Sequence, residues 1–197
     1  YALVTQAHLS RNERVLIHAV GSGVGLAAVQ VARAIGAIPY GTSRTPDKIE
    51  RATPFGLERG AAIRDAWELA PVTHEWAPNG FDVVLGRVGG AYTPASIATM
   101  ATRGRLMLVG LVAGATATFD LRRILSRRLT VIGTVLRARS VDEKAATTNA
   151  FARDLLQGFE SGALRAVVDR VFPITAIADA HRRMESNESF GKVVVLP

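Results

Sequence analysis

The residues best equipped for chemistry are Gly21-Ser22-Gly23-Val24-Gly25. They follow the apolar run Val15 to Ala19 and open directly into Leu26-Ala27-Ala28-Val29-Gln30, so a buried strand feeds a glycine turn that begins a helix. Unpaired backbone N–H groups and the positive end of a helix dipole converge at such a point, which makes it an anion site, most naturally for a pyrophosphate. Set against G-x-G-x-x-G with Gly25 last, Val20 and Ser22 stand at the first two glycine positions, so the strict fingerprint fails at two of its three glycines. The order strand, turn, helix still favours a dinucleotide over a turn whose glycines serve packing alone. A nucleophile elbow at Ser22 needs glycines where Val20 and Val24 stand, and a Walker A loop needs a Gly-Lys-Ser/Thr that the turn lacks.

A second decision lies about 20 residues further on, where the end of the next strand meets the adenosine ribose. NAD, FAD and S-adenosylmethionine sites place an acidic side chain there. This chain reads Gly41-Thr42-Ser43-Arg44-Thr45-Pro46-Asp47-Lys48. Ser43, Arg44 and Lys48 suit a 2′-phosphate, which a carboxylate would repel, and they predict NADPH rather than NADH. The competing reading leaves Arg44 and Lys48 as solvated loop charges and gives the ribose to Asp47 at a helix N-cap. A methyltransferase on the same fold class is a further alternative, disfavoured because its acid is not found after the second strand.

The elements that must carry these residues alternate. Strands are expected at Arg14–Ala19, Ile38–Thr42, Ala61–Arg64, Asp82–Arg87, Gly104–Val109 and Leu129–Leu136, with helices at Val24–Ile35, Pro46–Phe55, Thr93–Thr102 and Leu121–Arg127. Apolar strands alternating with helices imply parallel βαβ units and a doubly wound parallel sheet of Rossmann type. Val141–Glu160 reads as one long amphipathic helix with Ala146, Ala150, Phe151, Leu155, Leu156 and Phe159 as its apolar stripe. A last β-α-β passage follows, with strands at Val167–Phe172 and Lys192–Leu196 around a helix from Thr175 to Ser186. The organisation expected is a nucleotide-binding domain over residues 1–165 and a return segment over 166–197.

The ordered set of motifs resembles the zinc-independent NADPH:quinone oxidoreductase branch of the medium-chain dehydrogenase/reductase superfamily. It comprises His18-Ala19-Val20-Gly21-Ser22-Gly23-Val24-Gly25; Phe81-Asp82-Val83-Val84-Leu85 with Val88-Gly89-Gly90; Gly104-Arg105-Leu106 to Gly110-Leu111; Arg128 to Thr134 with Leu136-Arg137-Ala138-Arg139-Ser140; and Ala180 to Glu185 with Phe190-Gly191-Lys192. The resemblance implies hydride transfer from NADPH to a quinone or activated enone. It implies that Gly21, Ser22, Gly23 and Val24 meet the pyrophosphate, that Gly110, Leu111, Leu136 and Arg137 line the nicotinamide side, and that Phe190, Gly191 and Lys192 approach from the return segment. It also implies that residues 166–197 belong to a GroES-like substrate domain largely missing from this chain, so that the chain alone is an inactive cofactor-binding portion, and that the protein is a homodimer joined along its last sheet strand. Two departures stand out. Arg87 replaces the family's frequent Asp in Gly86-Arg87-Val88-Gly89-Gly90, where a basic side chain either adds phosphate affinity or distorts the loop; and Ile63-Arg64-Asp65 lacks the Tyr that many relatives offer the cofactor.

The chain has 197 residues and no cysteine, which excludes disulfides and thiolate zinc sites. His8, His18, His74 and His181 show no paired ligand spacing, so no metal site is expected, and His18 inside an apolar strand reads as a hydrogen-bonded core histidine. No side chain presents itself as a catalytic acid. Net charge is +7, but aromatics are only 6% and do not interleave with the Arg pairs, which argues against nucleic acid. With no apolar run near the roughly 20 residues a bilayer span needs, a soluble cytoplasmic protein is expected. A nucleotide-binding module without turnover is the alternative to an enzyme.

Overall fold

The computed structural model describes residues 1–197. Six parallel strands form one sheet: β1 Arg14–Ile17, β2 Ile38–Ser43, β3 Arg59–Ala62, β4 Phe81–Gly86, β5 Met100–Leu108 and β6 Thr130–Gly133, in the order β3-β2-β1-β4-β5-β6. The order reverses between β1 and β4, and this is the Rossmann arrangement, with its ligand crevice expected at the carboxyl ends of those two strands. The connecting helices are α1 Gly23–Ile35, α2 Pro46–Ala52, α3 Leu69–Trp76, α4 Tyr92–Thr99 and α5 Leu121–Arg127.

The sheet is buried on both faces because its central strands are apolar at consecutive positions. Val15, Leu16, Ile17, Val83 and Val84 are all fully buried. Successive side chains point to opposite faces. Val15, Ile17, Val83 and Leu85 therefore join Leu26, Val29 and Ala32 of α1 on one side, while Leu16, Val84 and Leu106 meet Leu69, Phe81 and Ile97 on the other.

Most expected elements are present with shifted ends. α2 stops at Ala52 and is followed by one tight turn over Thr53–Phe55, since Pro54 has no N–H to continue the ladder. β6 ends at Gly133, short of Leu136, because its partner β5 ends at Leu108; Val135 and Leu136 have no ladder to join and are exposed. α3 was not legible: Leu69 and Thr73 are its only buried residues, too few to register as a helical stripe.

After β6 the character changes. α6 spans Val141–Glu160, starting from a capping box in which Ser140 and Glu143 bond each other's backbone N–H, yet none of its residues is buried and Phe151, Leu156 and Phe159 stay more than two fifths exposed. The expected amphipathic helix is present with the expected bounds, and its apolar stripe is largely uncovered. β7 Val168–Pro173, α7 Ile177–Glu185 and β8 Lys192–Leu196 make a separate two-stranded parallel unit. The chain leading into it is tied to α1 by Gln30, whose side chain accepts from Arg165 N–H at 2.8 Å and donates to the Arg165 carbonyl at 3.2 Å. No helix is long and apolar enough to cross a membrane.

Candidate functional site

The turn between β1 and α1 is shaped by close approach. A side chain on Gly25 would come within 2.5 Å of the Ala19 carbonyl and 2.6 Å of the Val20 carbonyl, so only glycine lets the helix begin so near the strand end. Ser22 is the N-cap, its Oγ accepting from Gly25 N–H at 3.0 Å. The first turn of α1 holds no acidic residue, leaving its positive end uncompensated within the helix. Val24 is 41% exposed in that turn, so the surface above it is open.

Cations gather around this junction. The Lys48 stem lies against Gly21 and the Lys192 stem against Gly23, where a Cβ would meet side-chain carbons at 2.8 and 2.7 Å. Arg87 reaches across from the end of β4 and its Nη1 donates to Ser22 Oγ. The loops behind it are stitched together: Val109 N–H donates to the Gly86 carbonyl at 2.9 Å and Ala113 N–H to the Val88 carbonyl at 2.7 Å. Gly110 sits where a Cβ would be 2.9 Å from the Arg87 carbonyl, so it serves this close approach. Leu111 beside it is half exposed.

At the end of β2, Ser43 is buried and its carbonyl accepts from Ile63 N–H at 2.7 Å, while Arg44 is exposed and free of ion pairs. Lys48 does not join Arg44. It is buried, and its ammonium donates to the carbonyl and to Oδ1 of Asn187 in the return segment. Its placement on α2 one turn beyond Arg44 made the two look alike in sequence; the return segment separates them.

That segment closes on the junction. Gly191 N–H donates to the Gly21 carbonyl at 2.9 Å, and Ser22 and Gly191 form an isolated parallel bridge. Phe190 is buried against the core with Arg51 stacked 4.1 Å from its ring centre, so its ring is directed into packing rather than toward open space. Asp169 holds the segment from behind. Its carboxylate, only 3% exposed, takes Arg183 Nε at 2.9 Å and Nη2 at 3.2 Å, and also Phe190 N–H at 2.9 Å. The Arg183 guanidinium, as the bonded partner, holds the carboxyl below its ordinary range. Neither Asn187 nor Asp169 stood out in the sequence, because their partners lie on α2 and α7.

Underneath, His18 joins three elements. It is buried, with Nδ1 2.9 Å from Thr42 Oγ1 and Nε2 2.8 Å from Ser96 Oγ. Ser96 gives its one hydroxyl proton to the Tyr92 carbonyl at 2.6 Å, so it must accept from Nε2–H; Nδ1 then accepts from Thr42. Burial lowers the His18 pKa to about 4, and the ring is neutral. The Tyr92 hydroxyl donates to the Arg64 carbonyl at 3.0 Å, bringing a phenol from α4 to the end of β3, where the sequence after that strand offers none.

Leu136 and Arg137 lie apart from the turn. With Tyr1, Val109, Thr134, Val135, Arg139 and Thr147 they line an open cleft of ≈ 400 Å³ beyond β5 and β6. It contains hydroxyls and guanidinium groups but no carboxylate or imidazole. No three His, Asp or Glu side chains are grouped so as to hold a metal ion.

Residues 23–152 match the family described as zinc-binding dehydrogenase. The chain is 25% identical over 196 residues to a quinone oxidoreductase of Pongo abelii, covering 99% of this chain and 58% of that protein. It is 30% identical over 206 residues to a highly reducing polyketide synthase of Gibberella zeae, again over 99% of this chain but 8% of that one. Among solved structures, the quinone oxidoreductase of Thermus thermophilus, determined also in complex with NADPH, superposes with a TM-score of 0.85 at 31% identity, covering 100% of this chain and 61% of that one. A mycobacterial protein complexed with NADPH gives 0.88 at 27% identity, over 100% and 60%. The chain thus spans about three fifths of the quinone oxidoreductases it matches.

Proposed function

The chain belongs to the zinc-binding dehydrogenase family of the medium-chain dehydrogenase/reductase superfamily, and from that premise we propose that it is the cofactor-holding portion of an NADPH-dependent reductase of quinones or activated enones. The observation that carries the choice of cofactor is the pair of junctions side by side: an uncompensated helix start at Ser22, and a β2 terminus that offers Ser43 and an unpaired Arg44 instead of a carboxylate. The amides of Gly23 and Val24 bind the diphosphate, the Ser22 N–H being donated to the Ala19 carbonyl at 3.0 Å, and Ser43 with Arg44 binds the 2′-phosphate. Lys192, exposed with its stem on Gly23, flanks the same phosphates. When bound, NADPH supplies the hydride.

The residues beyond β5 and β6 orient the reacting partners. Arg139 fixes the cleft wall, donating from Nη2 to Thr134 Oγ1 and from Nη1 to Thr147 Oγ1, both at 3.0 Å. Leu136 and Val135 give the cleft its apolar side. No carboxylic acid or imidazole faces the cleft, so the acceptor's proton comes from solvent or from a group outside this chain. The donor set here, without cysteine and without a His/Asp/Glu cluster, does not fit zinc. Residues 166–197 form the part of the substrate domain carried by this chain. The unpaired edge of β6, where Val131 is 39% exposed, is the contact for a second copy.

Titration of the chain with NADPH and NADH tests the cofactor assignment. At least tenfold tighter binding of NADPH is expected, and equal affinities count against it. Steady-state turnover of quinones against α,β-unsaturated carbonyl compounds by a protein carrying the complete substrate domain separates the two acceptor classes, and turnover of neither leaves a nucleotide-binding module.

A further inference from the structure

Arg87 lies where electrostatics alone would not put it. Its Nη1 donates to Ser22 Oγ, the atom that caps α1, so a full positive charge rests beside a helix end that already carries roughly half a charge of the same sign. Nothing in the chain offsets it. The first turn of α1 has no acid, and Arg87 enters none of the ion pairs. Burial pulls the guanidinium below its ordinary value, with no neighbouring carboxylate to raise it. The stems of Lys48 and Lys192 also lie on this turn, the Lys48 ammonium being held by Asn187.

The position is built rather than accidental. The loop that carries Arg87 is bonded to the loop after β5 at the Gly86 and Val88 carbonyls, and Gly89 and Gly90 adopt positive φ of 73° and 49° to bring it there. A side chain on Gly89 would come within 2.4 Å of the Gly114 carbonyl, and one on Gly110 within 2.9 Å of the Arg87 carbonyl. A cation held beside a positive helix end is stabilised when an anion binds to both at once.

We propose that Arg87 is a binding residue for the diphosphate of the dinucleotide, holding Ser22 Oγ with one N–H and presenting its remaining donors to a phosphate oxygen. The proposal rests on the nucleotide reading above and deepens it. The diphosphate is common to NADPH and NADH, so Arg87 sets affinity for both, whereas Ser43 and Arg44 set the choice between them. A guanidinium has five N–H donors, enough to keep Ser22 and engage a phosphate at once.

Calorimetric titration of this chain and its Arg87→Gln and Arg87→Lys variants with three ligands tests the proposal: ADP, which has a diphosphate and no 2′-phosphate; adenosine 2′-monophosphate, which has the reverse; and NADPH. Arg87→Gln is expected to weaken ADP and NADPH by about ten- to a hundredfold, as for loss of a charge-assisted hydrogen bond, and to leave adenosine 2′-monophosphate unchanged. Arg87→Lys should fall between. The ligand-free Arg87→Gln chain should melt no lower than the wild type, because the substitution removes a charge from a like-charged helix end. ADP binding unaltered by Arg87→Gln overturns the role of Arg87 and leaves the nucleotide reading standing. A lowered melting point with equal loss of all three ligands also overturns it, by making Arg87 a structural residue. A wild-type chain that binds none of the three overturns both.

Discussion

The first and second strand-to-helix junctions lie side by side at one end of the sheet, and they handle the same problem in opposite ways. α1 begins with a serine cap and no acid, beneath three cationic side chains. α2 begins at Pro46 with Asp47 in its first turn, so its positive end is neutralised from within, and Thr45 makes no side-chain cap. The first junction is left short of negative charge; the second is complete and leaves Arg44 exposed next to a buried Ser43. The difference teaches that a helix start is available to a ligand only where the chain has not already satisfied it, and the proposed division of the diphosphate and the 2′-phosphate between the two junctions rests on it.

The comparison breaks most severely at Gly25. Gly25→Val places a branched side chain against the Ala19 and Val20 carbonyls, which must displace α1 from β1. A loss of about 3 kcal/mol or more in denaturant unfolding is expected, with nucleotide binding lost along with it. Gly41 of β2, whose Cβ would meet only side-chain atoms at 3.0 Å, should tolerate Ala far better, and equal losses at the two positions would remove the distinction.

His18 couples the two junctions, since it lies directly after β1 and bonds Thr42 of β2. Its pKa is about 4 when folded against an ordinary 6.5, so the unfolded chain takes up a proton that the native ring refuses. Stability should therefore be intact above pH 6.5, fall by about 3 kcal/mol as pH drops toward 4, and change no further on account of this residue below that. His18→Gln should flatten the fall between pH 6.5 and 4. The depressed carboxyl of Asp169 titrates below its ordinary 3.8, so its loss of stability belongs to a lower window and does not blur the test.

Much of this was legible in the sequence. The consecutive apolar residues Val15-Leu16-Ile17 and Phe81 to Leu85 can only be strands covered on both faces, and the glycine turn fixes where the first helix begins. Ser22 and Ser43 could be read because cap and strand end are local features. Lys48 could not, because its partner Asn187 is 139 residues away. The placement of Phe190 was hidden for the same reason, its neighbours Arg51 and Phe55 coming from another element. Arg87 was visible as a departure from a family pattern, yet its contact with Ser22 comes from a residue 65 positions away and could not be read there. The phenol of Tyr92 was invisible at the third strand because it arrives from α4.

Smaller perturbations sharpen the contrast between the junctions. Arg44→Ala should weaken NADPH about tenfold while leaving NADH unchanged, read as the ratio of two dissociation constants; an equal loss for both would move Arg44 to the diphosphate. Ser22→Ala removes the cap of α1 and should cost about 1 kcal/mol of stability with a modest, equal loss of both dinucleotides. An altered NADPH-to-NADH ratio in that variant would contradict the division of labour.

The most direct measurement is a crystal structure of this chain grown with NADPH. The diphosphate is predicted over the amides of Gly23 and Val24, with the 2′-phosphate beside Ser43 Oγ and the Arg44 guanidinium. A dinucleotide bound elsewhere, or one whose 2′-phosphate points away from the end of β2, would contradict the account.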